Sequence, residues 1–197
     1  MNRERAKTYP LHRRAVVEAL LAGRGETLVV TGLGAPSWDA TAAGDHDLTF
    51  PLWGAMGGAA MVGLGLALAQ PTRRVLVITG DGEILMGLTS LTAIAAERPA
   101  NLALVVLDNE RYGETGMQPT HTAGPVDLAA MAKAAGWTET MPVEDEAGLK
   151  TALPRIRGGG GPLFCQIKVR AESLPLVLPP KDGALLKDRF RRALLGE

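Results

Sequence analysis

Val75-Leu76-Val77-Ile78-Thr79-Gly80-Asp81-Gly82 and, further on, Leu102-Ala103-Leu104-Val105-Val106-Leu107-Asp108-Asn109 decide the reading of this chain. Each is a continuous apolar run of strand length that ends on a residue with a hard, metal-competent oxygen. The segment between them, from about Ile84 to Ala96, has the composition of a helix, so strand, helix and strand form a parallel crossover unit. Gly80 and Gly82 would let backbone amides approach an anion beside Asp81.

The same alternation extends in both directions. Leu11, Ala15, Val16, Ala19 and Leu20 recur at helical spacing up to Gly23, and a strand Thr27 to Thr31 follows. Gly32 and Gly34 then open a loop. In Thr49 to Gln70, Gly54 and Gly57-Gly58 permit close backbone approach before a small-residue helix that closes near Pro71. Beyond the long loop Asn109 to Pro125, Asp127 is placed to cap a helix to Ala135. A short strand is expected near Trp137 to Met141, a helix over Glu146 to Arg157, and a buried strand over Leu163 to Val169. Gly158 to Gly161 form a flexible turn. Apolar strands alternating with helices imply an α/β fold, an open parallel sheet with helices on both faces, as one domain over 1–197. Residues 172–197 are expected to form a C-terminal arm with a basic helix from Asp182 to Leu195. Ligands of such sheets sit beyond the carboxyl ends of the strands, where Gly34, Gly80 to Gly82 and Asn109 all fall.

Composition narrows the partners. Lys plus Arg and Asp plus Glu number 21 each, so net charge offers no pull toward nucleic acid or an anionic membrane. The polar N-terminus and the glycine-interrupted stretch Ala55 to Ala69 resemble neither a signal peptide nor a membrane span. The single cysteine, Cys165, lies in an apolar run and reads as a core thiol. A reducing, cytoplasmic setting is the expectation. Gly32-Leu33-Gly34 lacks the third glycine and distal acid of a dinucleotide fingerprint. No Gly-x-Ser-x-Gly elbow occurs, and the three histidines have no metal-ligand spacing.

Five marks stand in order: Gly34-Ala35-Pro36-Ser37, Gly54-Ala55-Met56-Gly57, Gly80-Asp81-Gly82, Asp108-Asn109, and Tyr112-Gly113-Glu114-Thr115-Gly116-Met117-Gln118-Pro119-Thr120. On these the chain resembles, from about Thr27 to Val169, the diphosphate-binding domain of thiamine diphosphate enzymes. Within that family it is most similar to the sulfopyruvate decarboxylase beta subunit and the C-terminal half of phosphonopyruvate decarboxylase. The resemblance implies thiamine diphosphate and Mg²⁺ as cofactors, with Asp81, Asn109 and the carbonyl of Arg111 as cation ligands. It implies that Gly80, Gly82 and the Glu83 amide meet the diphosphate, with the Glu83 carboxylate turned away or paired. Met56 would prop the cofactor in its bent shape and the Gly54 carbonyl would accept from its amino group. Ser37 would offer a hydroxyl, unless it caps a turn. Tyr112 and Gly113 would flank the thiazolium.

Glu114 is a candidate proton carrier or substrate selector, equally readable as an exposed loop acid, and His121 is a candidate proton donor more readily read as a surface-loop residue. The glutamate that activates the pyrimidine belongs to another domain in this family. The resemblance therefore implies a pyrimidine-binding partner subunit, in a hetero-oligomer of α2β2 size or larger, acting on a small 2-oxo acid. Another carbon–carbon lyase or carboligase subunit is the alternative. Two carboxylates near a diphosphate, Glu83 and Glu114, also keep open a non-catalytic cofactor-binding subunit.

Overall fold

A computed structural model describes residues 4–197; the first three positions of the expected domain lie outside the described residues. In chain order the elements are α1 (Arg13–Leu21), β1 (Leu28–Thr31), α2 (Ala35–Ala42), β2 (Thr49–Pro51), α3 (Ala59–Ala69), β3 (Val75–Gly80), α4 (Asp81–Met86) and α5 (Ser90–Glu97). There follow β4 (Leu102–Asp108), β5 (Arg111–Tyr112), β6 (Gln118–Pro119), α6 (Leu128–Ala135), β7 (Glu139–Val143), α7 (Glu146–Arg157), β8 (Leu163–Lys168) and α8 (Gly183–Leu195). Six strands form one parallel sheet in the order β2-β1-β3-β4-β8-β7, while β5 and β6 pair antiparallel in a small hairpin.

The apolar runs are continuous because both sheet faces are covered. Val75, Val77, Leu102, Leu104 and Val106 point to a core shared with α3, α5 and α6. Leu76, Ile78, Ala103, Val105 and Leu107 point to the opposite core, filled by α1 and α7. This period of two, with neither side exposed, is the signature of a doubly covered parallel sheet. Helix α3 lies close on β3 because Gly63 has no side chain; a Cβ there would strike Val77.

Four local features differ from the sequence reading. The loop expected after Gly34 becomes α2, with Gly34 turning the chain at φ 76° and Pro36 in the first turn. Thr49 to Pro51 is an edge strand paired with β1. The single helix expected over Ile84 to Ala96 starts at Asp81 and breaks at Gly87, whose backbone is pressed against that of Gly57, so a side chain at Gly87 would enter the Gly57 peptide. Strand β7 runs to Val143, and Trp137 is instead a core residue whose Nε1 donates to the Leu91 carbonyl at 2.9 Å.

Helix α8 is capped by Asp182, which accepts from the amides of Ala184 and Leu185. It packs through buried Leu186 and Phe190, the latter 5.6 Å from the Phe50 ring, and Arg189 pairs with Asp45 at 2.6 Å. Among the described residues no helix is long and apolar enough to cross a membrane.

Candidate functional site

Parallel strands end on one rim, and the loops leaving β1, β3 and β4 meet there around a cavity of about 120 Å³. Its lining includes Leu33, Met56, Asp81, Asn109, Tyr112 and Glu114. Gly80 and Leu107 are register partners on β3 and β4, so Asp81 and Asp108-Asn109 emerge side by side.

Asp81 is buried, and its Oδ2 accepts from Thr120 Oγ1 at 2.5 Å. Thr122 Oγ1 lies 2.7 Å from Asp108 Oδ1 and 3.2 Å from Asp81 Oδ2, between the two carboxylates. Burial, and then the charge of Asp108, push the Asp81 carboxyl up to about 7, against the pull of the two hydroxyls. A divalent cation at Asp81 would reverse that cost by supplying the opposite charge. Asp108 itself faces inward to Gln166 Nε2 at 2.6 Å and Lys168 Nζ at 2.8 Å, which leaves Asn109 as the outward oxygen of the pair. Asn109 Oδ1 accepts from the Arg111 amide at 2.9 Å, a turn interaction within the loop.

Glu83 is buried in the cavity lining, with Oε1 reaching the start of α3. Its Oε1 accepts from the amides of Gly57 at 3.0 Å and Ala59 at 3.2 Å, capping a helix whose N-cap position, Gly58, has no side chain to do so. Burial raises the Glu83 carboxyl above the usual range and the two amides oppose the rise. The carboxylate thus joins the Met56 loop to the helix that carries Asp81. Gly82 is needed for contact: a Cβ there would fall 2.6 Å from Tyr112 Cε1, and Met56 lies just beyond.

Other expected residues lie elsewhere. Ser37 is fully buried, 2.8 Å from Thr31 Oγ1, and donates to the Gly32 carbonyl at 2.8 Å, so its hydroxyl serves the turn. Gly54 is exposed and lines a neighbouring depression with Phe50 and Lys181. His121 is exposed in a short turn outside the cavity. Glu114 and Gly113 sit at the mouth, where Glu114 Oε1 accepts from Trp38 Nε1 at 3.2 Å above Gly34. The Thr120 and Thr122 hydroxyls and the indole of Trp38 escaped the sequence reading. Thr120 enters that reading only as the last residue of the fifth mark, without a role, and Thr122 lies two residues beyond it.

The donor chemistry fits a diphosphate held through a cation. Among the described residues no three acidic, histidine or cysteine side chains gather as a metal site. An ion at Asp81 and Asn109 would therefore need oxygens from a bound ligand. Gly82 keeps the floor free of side chain, and the Thr79 hydroxyl beside Gly32 is buried without a partner, a polar group left at the edge of the same region.

Such a rim, with oxygen ligands on adjacent strand ends above an apolar wall, defines a cofactor-binding α/β domain. The chain belongs to the thiamine pyrophosphate enzyme family, its residues 38–167 matching the model of the C-terminal TPP binding domain. It is 35% identical over 186 residues to sulfopyruvate decarboxylase subunit beta of Methanothermobacter thermautotrophicus, covering 94% of this chain and 97% of that subunit. It is 39% identical to phosphonopyruvate decarboxylase of Streptomyces viridochromogenes, covering 91% of this chain and 45% of that enzyme. A thiamin diphosphate-dependent enzyme from Mycobacterium smegmatis shares the fold with TM-score 0.70 at 22% identity, over 83% of this chain and 32% of that one.

Proposed function

We propose that this chain is the beta-type subunit of a thiamine diphosphate- and Mg²⁺-dependent 2-oxo acid decarboxylase, active only with a pyrimidine-domain partner. The observation that carries this is the emergence of Asp81 and Asn109 from neighbouring strand ends over Met56 and Tyr112. Asp81, Asn109 and the carbonyl of Arg111 would hold the cation, and the amides of Gly82 and Glu83 would meet the diphosphate. When bound, the cofactor supplies a nucleophilic carbon and a sink for the electrons left by carbon dioxide. The chain's own part is to orient it: Met56 and Tyr112 form the apolar wall, and Glu83 fixes the Met56 loop. Glu114, which lines the cavity and accepts from Trp38, would meet the 2-oxo acid and hold or hand over a proton.

A subunit named beta among the relatives favours a second subunit, and the family's activating glutamate, which lies on the pyrimidine domain, would come from it. The proposed assembly is a cytoplasmic hetero-oligomer of α2β2 size or larger. The test is carbon dioxide release from sulfopyruvate and phosphonopyruvate by the pure chain and by the chain co-purified with a pyrimidine-domain partner. Turnover only in the complex is expected; turnover by the chain alone would overturn the subunit assignment.

A further inference from the structure

Glu110 separates Asn109 from Arg111, the two loop residues proposed as cation ligands, and it is one of three non-glycine residues with positive φ among those described. Its φ is 60°. A side chain with a Cβ resists this left-handed conformation, which persists where the surroundings hold it. The conformation falls inside a tight turn spanning Asn109 to Arg111. Asn109 and Arg111 can then face the same side, with the Arg111 amide on Asn109 Oδ1.

The holding groups are far away in sequence. Glu110 is wholly buried, and its carboxylate accepts from Arg5 Nε at 2.9 and 3.1 Å, Arg5 Nη2 at 2.6 Å, Tyr9 Oη at 2.7 Å and Lys168 Nζ at 3.0 Å. Its amide donates to Asp108 Oδ1 at 3.1 Å and its carbonyl accepts from the Thr120 amide at 3.0 Å. The N-terminal segment is itself fastened: the Ala171 amide donates to the Ala6 carbonyl at 2.8 Å, and Arg170 Nε to the Tyr9 carbonyl at 2.9 Å. Arg5 Nη2 also donates to the Thr122 carbonyl at 3.1 Å, reaching the residue that stands between Asp81 and Asp108.

A glycine would take this conformation without help. A glutamate is held in it by the grip on its carboxylate together with the bonds of its own amide and carbonyl.

We propose that Glu110, gripped by Arg5 and Tyr9, is a positioning residue that presents the Asn109 and Arg111 oxygens to the cation, so that docking of the N-terminal segment governs cofactor affinity. The proposal rests on the thiamine diphosphate reading for its ligand, but its backbone part does not. If Glu110 served only to anchor the N-terminus, the loop would keep its shape without Arg5 and Tyr9, and a glycine at 110 would repair nothing.

The experiment compares the wild type, an Arg5→Ala/Tyr9→Phe double variant, and the same double variant carrying Glu110→Gly. In the chain without ligands, amide hydrogen exchange over residues 109–112 is expected to quicken in the double variant and to return to the wild-type rate in the triple variant. With the partner present, Mg²⁺-dependent thiamine diphosphate binding should weaken about tenfold in the double variant, equivalent to about 1.4 kcal/mol, and recover in the triple variant. Tyr9→Phe alone serves as the milder variant if the double variant does not fold. Unchanged loop exchange in the double variant, or no recovery with glycine, would overturn the proposal. A wild-type complex that binds no thiamine diphosphate would overturn the function proposed above, while the exchange comparison would still decide the role of Glu110.

Discussion

Thr120 Oγ1 donates to Asp81 Oδ2 at 2.5 Å, so the end of the loop after β4 holds one oxygen of the carboxylate that opens α4 and leaves Oδ1 free of the two threonine hydroxyls. A buried carboxylate oriented in this way is ready for a cation and costly without one. Its carboxyl, raised from 3.8 to about 7 by burial and then by Asp108, binds a proton more tightly in the folded chain than in the unfolded one. Between those values the folded state holds more protons, so this group lowers stability as pH rises through the window. Asp81→Asn removes that dependence. Melting of the ligand-free chain between pH 4 and 8 should fall less steeply for the variant than for the wild type, and parallel curves would contradict the assignment.

Glu83 offers a second handle on the same floor. Glu83→Ala leaves the Gly57 and Ala59 amides without their acceptor, which should cost about 1–3 kcal/mol in urea unfolding. Glu83→Gln keeps a carbonyl oxygen on the same stem and should recover most of that loss. Equal stability of the alanine variant and the wild type would mean that the capping contacts contribute nothing.

The C-terminal helix should be an integral part of the domain. Phe190 is buried against Phe50, and Phe190→Ala is expected to destabilise the chain by about 3–5 kcal/mol. Arg189→Ala, which removes the partly exposed pair with Asp45, should cost under about 1 kcal/mol. Chemical denaturation of the two variants separates apolar docking from the ion pair, and the reverse ranking would contradict it.

Cys165 lies in the centre of β8 with no exposed surface, and burial pushes its thiol up to about 12. The thiolate is the reactive form, so the native protein should not react with a disulfide reagent on the timescale of minutes. Addition of denaturant should release one equivalent. Rapid labelling of the native chain would show that β8 is open.

The strands Val75 to Gly80 and Leu102 to Asp108 were legible because burial on both faces writes itself as unbroken apolar sequence. Helix α2 was not, because Ala35-Pro36-Ser37-Trp38-Asp39 carries little apolar periodicity and buries Asp39 against Arg13 and Arg14. The three-residue strand β2 is too short to show a pattern. The break between α4 and α5 comes from contact between Gly87 and Gly57, thirty residues apart, which no local propensity encodes. At the site, Asp81 and Asn109 could be found by their spacing and their glycines. The Arg5 and Tyr9 grip on Glu110 could not, since it joins residues about a hundred positions apart.

Calorimetric titration of thiamine diphosphate into the wild-type chain and the Asp81→Ala variant, each with the partner present and with Mg²⁺ added or chelated, addresses the central claim most directly. The wild type should bind only with Mg²⁺, and the folded variant should not bind under either condition. Equal affinity of the variant, or metal-independent binding by the wild type, would contradict the assignment of Asp81 as the cation ligand of a diphosphate site.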